Sequence, residues 1–299
     1  MDITDSIISY RRFFKRRNYS THSIKNYMNM LRHFVLWVDV PLQEVTHGKV
    51  VGYIDWLLSK RLKPKTINCH LACISGFYQY LDYERDVKIK NPVKKGYKLR
   101  LPKPLPRCVR EEKLTMFFKE VKTRRDHAIF MIMLRCGLRV EEAAHLRLPA
   151  IDLKRRSVMI VEGKGGKSRV VYLSKDAHDA LVAYLKVRPS CKTQGLFLVE
   201  KGVCKGQPIS VRGIQKRMEH YAGKAGVSIS CHQLRHTMAT QMLNADAQLE
   251  TIQDLLGHNW VTTTQRYCKV SNLKVKRDYY KAMELVMQRT TPDPGRLNT

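Results

Sequence analysis

At 299 residues the chain is longer than one ordinary small domain and suits two, and 43% apolar residues suffice for a real core. No uncharged apolar run reaches the roughly eighteen residues that a membrane-spanning helix needs, so a helical span is excluded. Lys and Arg number 55 against 26 Asp and Glu, and the formal charge of +29 calls for a polyanionic partner, nucleic acid first among them.

The first residues, MDITDSIISYRRFFKRR, lack an apolar signal core and a small-residue cleavage site, so the expected compartment is the cytoplasm. No isolated basic amphipathic anchor helix stands out, and no membrane partner is expected. Residues 1–87 read as about four helices in a small bundle. Ile7, Ile8, Phe13 and Phe14 belong to the first. Ile24, Tyr27, Met28, Leu31, Phe34, Val35 and Val38 recur at helical spacing in the second, with Ser20 or Thr21 as its cap. Val50, Tyr53, Ile54, Leu57 and Leu58 make the third stripe. Pro64 opens the fourth, which carries Ile67, Leu71, Ile74, Tyr78 and Leu81.

The pattern then breaks. KIKNPVKKGYKLRLPKPLPR, residues 88–107, holds Pro92, Pro102, Pro104 and Pro106, many basic residues and no acidic one. Proline stops helices and stiffens the chain, so this reads as an interdomain linker, lying against phosphates or merely solvated. Residues 108–299 form the second predicted domain. REEKLTMFFKEV and RDHAIFMIMLRCG read as helices. SVMIVEGKGGKSRVVYL reads as two strands around a glycine-rich turn. Helices are expected at 175–187, 211–225, 234–244 and 248–256. A last amphipathic helix is expected from Asp278 to Gln288, before a frayed tail. The fold class is therefore mainly α with a small antiparallel β-sheet.

The eight cysteines, at 69, 73, 108, 136, 191, 204, 231 and 268, form no C-x-x-C pair and suit a reducing compartment. Cys69 and Cys73 share a helix face while His70 points elsewhere, which predicts two packed thiols and no metal site.

Five local features carry chemistry. RCGLRVEEAAHL puts Arg139 at the start of a helix. VEGKGGKSRVV puts Lys164 on a hairpin tip, without P-loop spacing and between strands rather than before a helix. HQLRHTMAT puts His232 and Arg235 three apart, on one helix side. LLGH supplies His258, and Tyr267 follows. Each alone is an ordinary surface or turn residue. Together they propose phosphoryl chemistry. Two arginines can fork phosphate oxygens, and histidines can donate to them or shuttle protons. A lysine can protonate a leaving alkoxide. A tyrosine can attack when cations and a base favour its phenolate. No acidic cluster suited to magnesium accompanies them, so the cations would replace a metal.

The order Arg, Lys, His-x-x-Arg, Leu-Gly-His, Tyr resembles the tyrosine recombinases, the family of phage integrases and Xer-type recombinases. CGLRVEE, GKGGKSRVV, HQLRHTMAT, LLGHNWVTTTQRY and the N-terminal ISGFYQYL look like family motifs, and the likeness covers most of residues 4–270. It implies an N-terminal SAM-like core-binding domain and a catalytic domain forming a C-shaped clamp on double-stranded DNA. It also implies catalytic Arg139, Lys164, His232, Arg235, His258 and Tyr267, with Glu142 supporting the first arginine. Tyr267 would attack a phosphate to leave a 3′-phosphotyrosine bond and a free 5′-hydroxyl. Arg139, Arg235 and His258 would stabilise the phosphorane. Lys164 would protonate the departing oxygen, and His232 would serve Tyr267 as base. Neither ATP nor metal is implied. A homotetramer on two DNA sites is, with accessory DNA-bending proteins as optional partners.

Tyr279 and Tyr280 are rival nucleophiles on paper, but an amphipathic helix makes them packing residues. Asp246 stands where the family often has a glycine, in a left-handed turn that aspartate tolerates less well. Mobile-element integration or excision is the leading role. The alternatives are Xer-type dimer resolution, a monomeric topoisomerase of similar chemistry, and a DNA-binding regulator without catalysis.

Overall fold

The computed structural model describes residues 3–84, 88–102, 108–161, 168–257, 279–280 and 283–284. Lys164, His258 and Tyr267 lie outside the described residues, as does most of the helix expected at 278–288. The chain divides into two compact units, Met1–Lys103 and Pro104–Thr299. Among the described residues, no helix is long and apolar enough to cross a membrane.

The first unit holds α1 (Ile3–Arg16), α2 (Thr21–Trp37), α3 (His47–Ser59) and α4 (Pro64–Glu84). Ser20 is the cap of α2, its hydroxyl accepting from the Ser23 N–H at 3.2 Å. α4 is the spine: Ile67, Leu71, Ile74, Phe77, Tyr78 and Leu81 are buried against Leu31, Phe34, Val50, Tyr53 and Leu57. α1 departs from its expected stripe. It buries Ser6, Tyr10 and Phe14, while Ile8 stays exposed. The Tyr10 ring selects this face, packing on Phe14 at 4.5 Å, Phe77 at 5.1 Å and Tyr80 at 4.8 Å. The expected pair of packed thiols is also corrected. Cys73 is buried and donates to the Tyr27 carbonyl, whereas Cys69 is exposed. His70, which was expected to point away, is buried against Tyr53, at 3.0 Å between its Nδ1 and the phenol oxygen.

Residues 88–102 are held on this unit. Asn91 donates to the Ser75 carbonyl and hydroxyl, and Asn68 clasps the backbone of Leu99 through both ends of its amide. Ile89 is buried, and Val93, Tyr97 and Leu99 pack beside it. Proline stiffness and these polar clasps together set the path of the basic stretch, which is not simply solvated.

The second unit contains α5 (Glu111–Glu120), α6 (Arg124–Arg135), α7 (Val140–Ala144), β1 (Ile151–Asp152), β2 (Ser157–Ile160), β3 (Arg169–Tyr172), α8 (Lys175–Leu185), α9 (Val211–Lys224), α10 (Cys231–Asn244) and α11 (Leu249–Leu256). α6 is the central helix, with Ala128 through Leu134 all buried. The sheet is antiparallel in the order β1-β2-β3, pairing Val158 with Val171 and Ile160 with Arg169. α10 begins three residues before the expected 234. The reason is a reciprocal cap: Ser230 accepts from the Gln233 N–H while the Gln233 side chain accepts from the Ser230 N–H at 2.8 Å. That extra turn makes His232 a helical residue on the same element as Arg235. After α10, Asp246 takes the left-handed conformation expected of it, at φ 63°.

Candidate active site

The site is assembled where three chain segments end. α6 stops at a left-handed glycine, Gly137 (φ +64°), which turns the chain toward Arg139. A side chain there would be strained and would also meet Leu256 Cδ2 at 2.9 Å. Arg139 caps α7, and its N–H donates to Glu142 Oε2 at 2.7 Å. Its guanidinium donates to Oε1 of the same carboxylate at 2.7 Å and to the Gly257 carbonyl at 3.2 Å.

Glu142 is the hub. Arg169, on β3, forks it from the other side, Nη1 to Oε1 and Nη2 to Oε2, both at 2.8 Å. Arg235 Nη1 stands 4.0 Å from Oε2. Burial alone would raise this carboxyl, but the hydrogen bonds from Arg169 and from the Arg139 backbone hold it down to about 2. It is therefore ionised at any working pH. One carboxylate faces three guanidiniums, which leaves the cluster with an excess of positive charge.

α11 supplies the other half. Its last carbonyls carry the negative end of the helix and have no helical partners. Arg169 Nε takes the Leu255 carbonyl at 2.7 Å, Arg235 Nη2 takes that of Leu256, and Arg139 Nη2 takes that of Gly257. Gly257 closes α11 in the left-handed conformation, φ 59°. Three arginines from three elements thus clamp the helix end that leads directly into His258.

The sequence-predicted residues divide as follows. Arg139, His232 and Arg235 come together. The Arg139 side chain is 24% exposed and faces solvent, while that of Arg235 is 2% exposed and lies on the floor of the site, donating to the Gly137 carbonyl at 2.6 Å. His232 stands at the exposed edge, its ring 4.2 Å from that of His236. Partial burial of its ring, then the charges of Arg235 and Arg139, push its pKa below the ordinary 6.5, so it is a neutral imidazole at pH 7. Tyr279 and Tyr280 were expected to be packing residues. Both are exposed, 58% and 56%, and touch each other at 5.5 Å between ring centres.

Arg169 was missed, although the sequence carried a signal. In a strand, residues two apart share a face. Arg169 shares a face with the buried Val171, opposite buried Ile160, while Val170 and Tyr172 are exposed. An arginine in the inward register of a strand demands a carboxylate partner.

Residues 107–273 match the model of the phage integrase family, and residues 7–85 match that of the phage integrase N-terminal SAM-like domain. The tyrosine recombinase XerC of Staphylococcus haemolyticus is 31% identical, an alignment covering 89% of this chain and 92% of that protein. XerC of Syntrophus aciditrophicus is 30% identical over 89% of this chain and 93% of its own length. Among solved structures, the Tn1549 transposon integrase in complex with circular intermediate DNA superposes with a TM-score of 0.72 at 18% identity, covering 88% of this chain and 94% of that one. A lambda integrase dimer bound to a COC′ core site gives 0.74 at 14% identity, over 89% and 95%.

Proposed function

The chain belongs to the phage integrase family and is a tyrosine-type site-specific recombinase, and from that premise we propose that it cuts and rejoins double-stranded DNA through Tyr267, with Arg139, Lys164, His232, Arg235 and His258 as its catalytic partners. The observation that carries this reading is the three-arginine cage on Glu142 and the α11 terminus. It concentrates positive charge where the chain enters His258, and does so on rigid elements. A phosphorane needs preorganised donors of that kind.

Tyr267 attacks the scissile phosphorus. The P–O bond to the 5′-oxygen breaks as the 3′-phosphotyrosine bond forms. Lys164 supplies the proton to the departing oxygen. His232, neutral at pH 7, takes the phenol proton. Arg139 and Arg235 hold the non-bridging oxygens, aided by His258. A 5′-hydroxyl from the partner duplex reverses the step, so the bond energy is conserved. The Proposed assembly is a homotetramer on two DNA sites, with the SAM-like unit adding grip on each duplex. The basic excess of the chain supports that grip.

The direct test is covalent trapping on nicked duplexes tiled from DNA flanking the gene. Wild-type protein is expected to give a denaturation-resistant adduct without added metal, and Tyr267→Phe none. An adduct persisting in Tyr267→Phe would move the nucleophile elsewhere, with the exposed Tyr279 and Tyr280 the first places to look.

A pH profile tests the base. The apparent second-order rate of adduct formation is expected to fall on the acid side only below the ordinary imidazole value of 6.5, where His232, its pKa lowered by burial and the neighbouring arginines, takes up a proton. In His232→Gln that acidic limb should disappear and the remaining rate should be low. An unchanged limb would mean that another group titrates.

Mobile-element integration or excision is the leading role. Xer-type dimer resolution is the second, favoured by XerC relatives that align over 89% of the chain. Recombination of paired element ends against paired chromosomal terminus sites distinguishes them.

A further inference from the structure

All three guanidinium nitrogens of Arg169 are engaged inside the protein, two on Glu142 and one on the Leu255 carbonyl. With all three nitrogens so committed, it is placed to support the cluster rather than to hold the phosphate itself. A carboxylate offers about four acceptor positions. At Glu142, two go to Arg169, one to the Arg139 guanidinium and one to the Arg139 N–H. The carboxylate is saturated. Its next nearest cation, Arg235, stays at 4.0 Å and bonds instead to the Gly137 and Leu256 carbonyls.

Remove Arg169, and Glu142 regains two open acceptor positions and has only Arg139 and Arg235 left to balance its charge. The adjacent guanidiniums are the groups that would satisfy it. Arg139 would fold further onto Glu142, and Arg235 would swing from its carbonyls toward Oε2. Both movements take donors and positive potential away from the place where a phosphate is processed. We propose that Arg169 is a positioning residue for the recombination reaction: it saturates Glu142 so that Arg139 and Arg235 keep their charge for the scissile phosphate, and its Nε fixes the α11 terminus that leads into His258.

This rests on the assignment of Arg139 and Arg235 to the phosphate. Arg169 acts through charge at the phosphate, not through DNA affinity or general packing.

The experiment is single-turnover adduct formation on nicked duplexes carrying either the natural scissile phosphodiester or a neutral methylphosphonate in its place. With the phosphodiester, Arg169→Gln is expected to slow adduct formation by about 100-fold. Its DNA affinity should change by less than about 3-fold, since the residue touches no phosphate. With the methylphosphonate, which lacks the charged oxygen that Arg139 and Arg235 hold, the same substitution should cost less than about 10-fold. Arg169→Lys restores charge without the fork and should fall between the two, which also keeps the test alive should Arg169→Gln fold poorly. The double variant Glu142→Gln/Arg169→Gln should be no slower than Arg169→Gln, because the competing carboxylate is gone. Equal slowing on both substrates, with additive effects in the double variant, would reduce Arg169 to a structural strut and overturn the proposal. So would a wild-type rate in Arg169→Gln. An adduct that survives in Tyr267→Phe would instead overturn the nucleophile assignment, and the rate ratios would still report on Arg169.

Discussion

Arg235→Ala is expected to cut the single-turnover rate of adduct formation by about 1,000-fold or more, at temperatures where the variant is fully folded. Two roles meet at this side chain. In the structure it is a floor residue, 2% exposed, whose nitrogens hold the Gly137 and Leu256 carbonyls. In the proposed reaction it also donates to a phosphate oxygen. Loss of the first role leaves two carbonyls unpaired and costs roughly 1–3 kcal/mol of stability for each that stays dry. Loss of the second removes a cation from the transition state. Arg235→Lys separates them. Lysine keeps the charge but is a point donor and cannot span two carbonyls and a phosphate as a planar fork can. It should retain much of the stability and little of the rate. Thermal melts beside adduct rates check this. If Arg235→Lys loses stability but cleaves within about 10-fold of wild type, the guanidinium is a strut and the phosphate is held by Arg139 and other groups.

How much of this was legible beforehand depends on how local the signal is. Helix periods and caps were readable because each lies within a few residues: Ser20 before α2 and Pro64 at α4 needed no tertiary knowledge. The start of α10 was read three residues late because the cap at Ser230 is reciprocal with Gln233, and the apolar period alone points only to Leu234. The stripe of α1 was misread because the Tyr10 ring, with Phe77 and Tyr80 from α4, decides which face turns inward. Arg139, His232 and Arg235 were found from motif spacing and do converge. What motif spacing could not show is the way they converge. The clamp on the α11 terminus joins residues 21 to 118 positions apart, and a turn-by-turn reading does not see such contacts. Arg169 lay between these cases, flagged by strand register yet meaningful only once Glu142 is beside it.

The same long-range blindness hid a second buried charge cluster, which yields the largest expected stability effect. Asp126, at the first turn of α6, is fully buried. Arg125 donates to its Oδ1 through Nε at 2.8 Å and Nη2 at 2.6 Å. Arg217 Nε and the Tyr221 hydroxyl, both on α9, reach Oδ2 at 2.7 and 2.9 Å. Arg125 also ties to the Leu198 carbonyl at 2.9 Å. One carboxylate therefore joins α6, α9 and the chain at 198, and α6 is the helix that ends at Gly137 in the active site. Asp126→Ala takes from Arg125, a nearly buried guanidinium, its hydrogen-bonded carboxylate, leaving only Glu200 Oε2 at 3.8 Å, and removes the charge that Arg217 also pairs with. Breaking a buried pair from one side costs about 3–5 kcal/mol, which for a unit of this size lowers the melting temperature by roughly 10 °C. Burial pushes the Asp126 carboxyl up, but Arg125 and then Arg217 outweigh it and hold it below the ordinary 3.8. The sign follows. Its ionised form is favoured in the folded state, so its contribution is fully present above the unfolded carboxyl pKa and is lost as pH falls through the lower folded value. Wild-type protein should accordingly lose stability relative to Asp126→Asn on acidification below about pH 4, the gap between them narrowing as the carboxyl is protonated. Urea melts of both proteins from pH 7 to pH 3 measure that gap, and a gap that stays constant would mean that the carboxylate charge contributes nothing and shape alone holds α6 to α9.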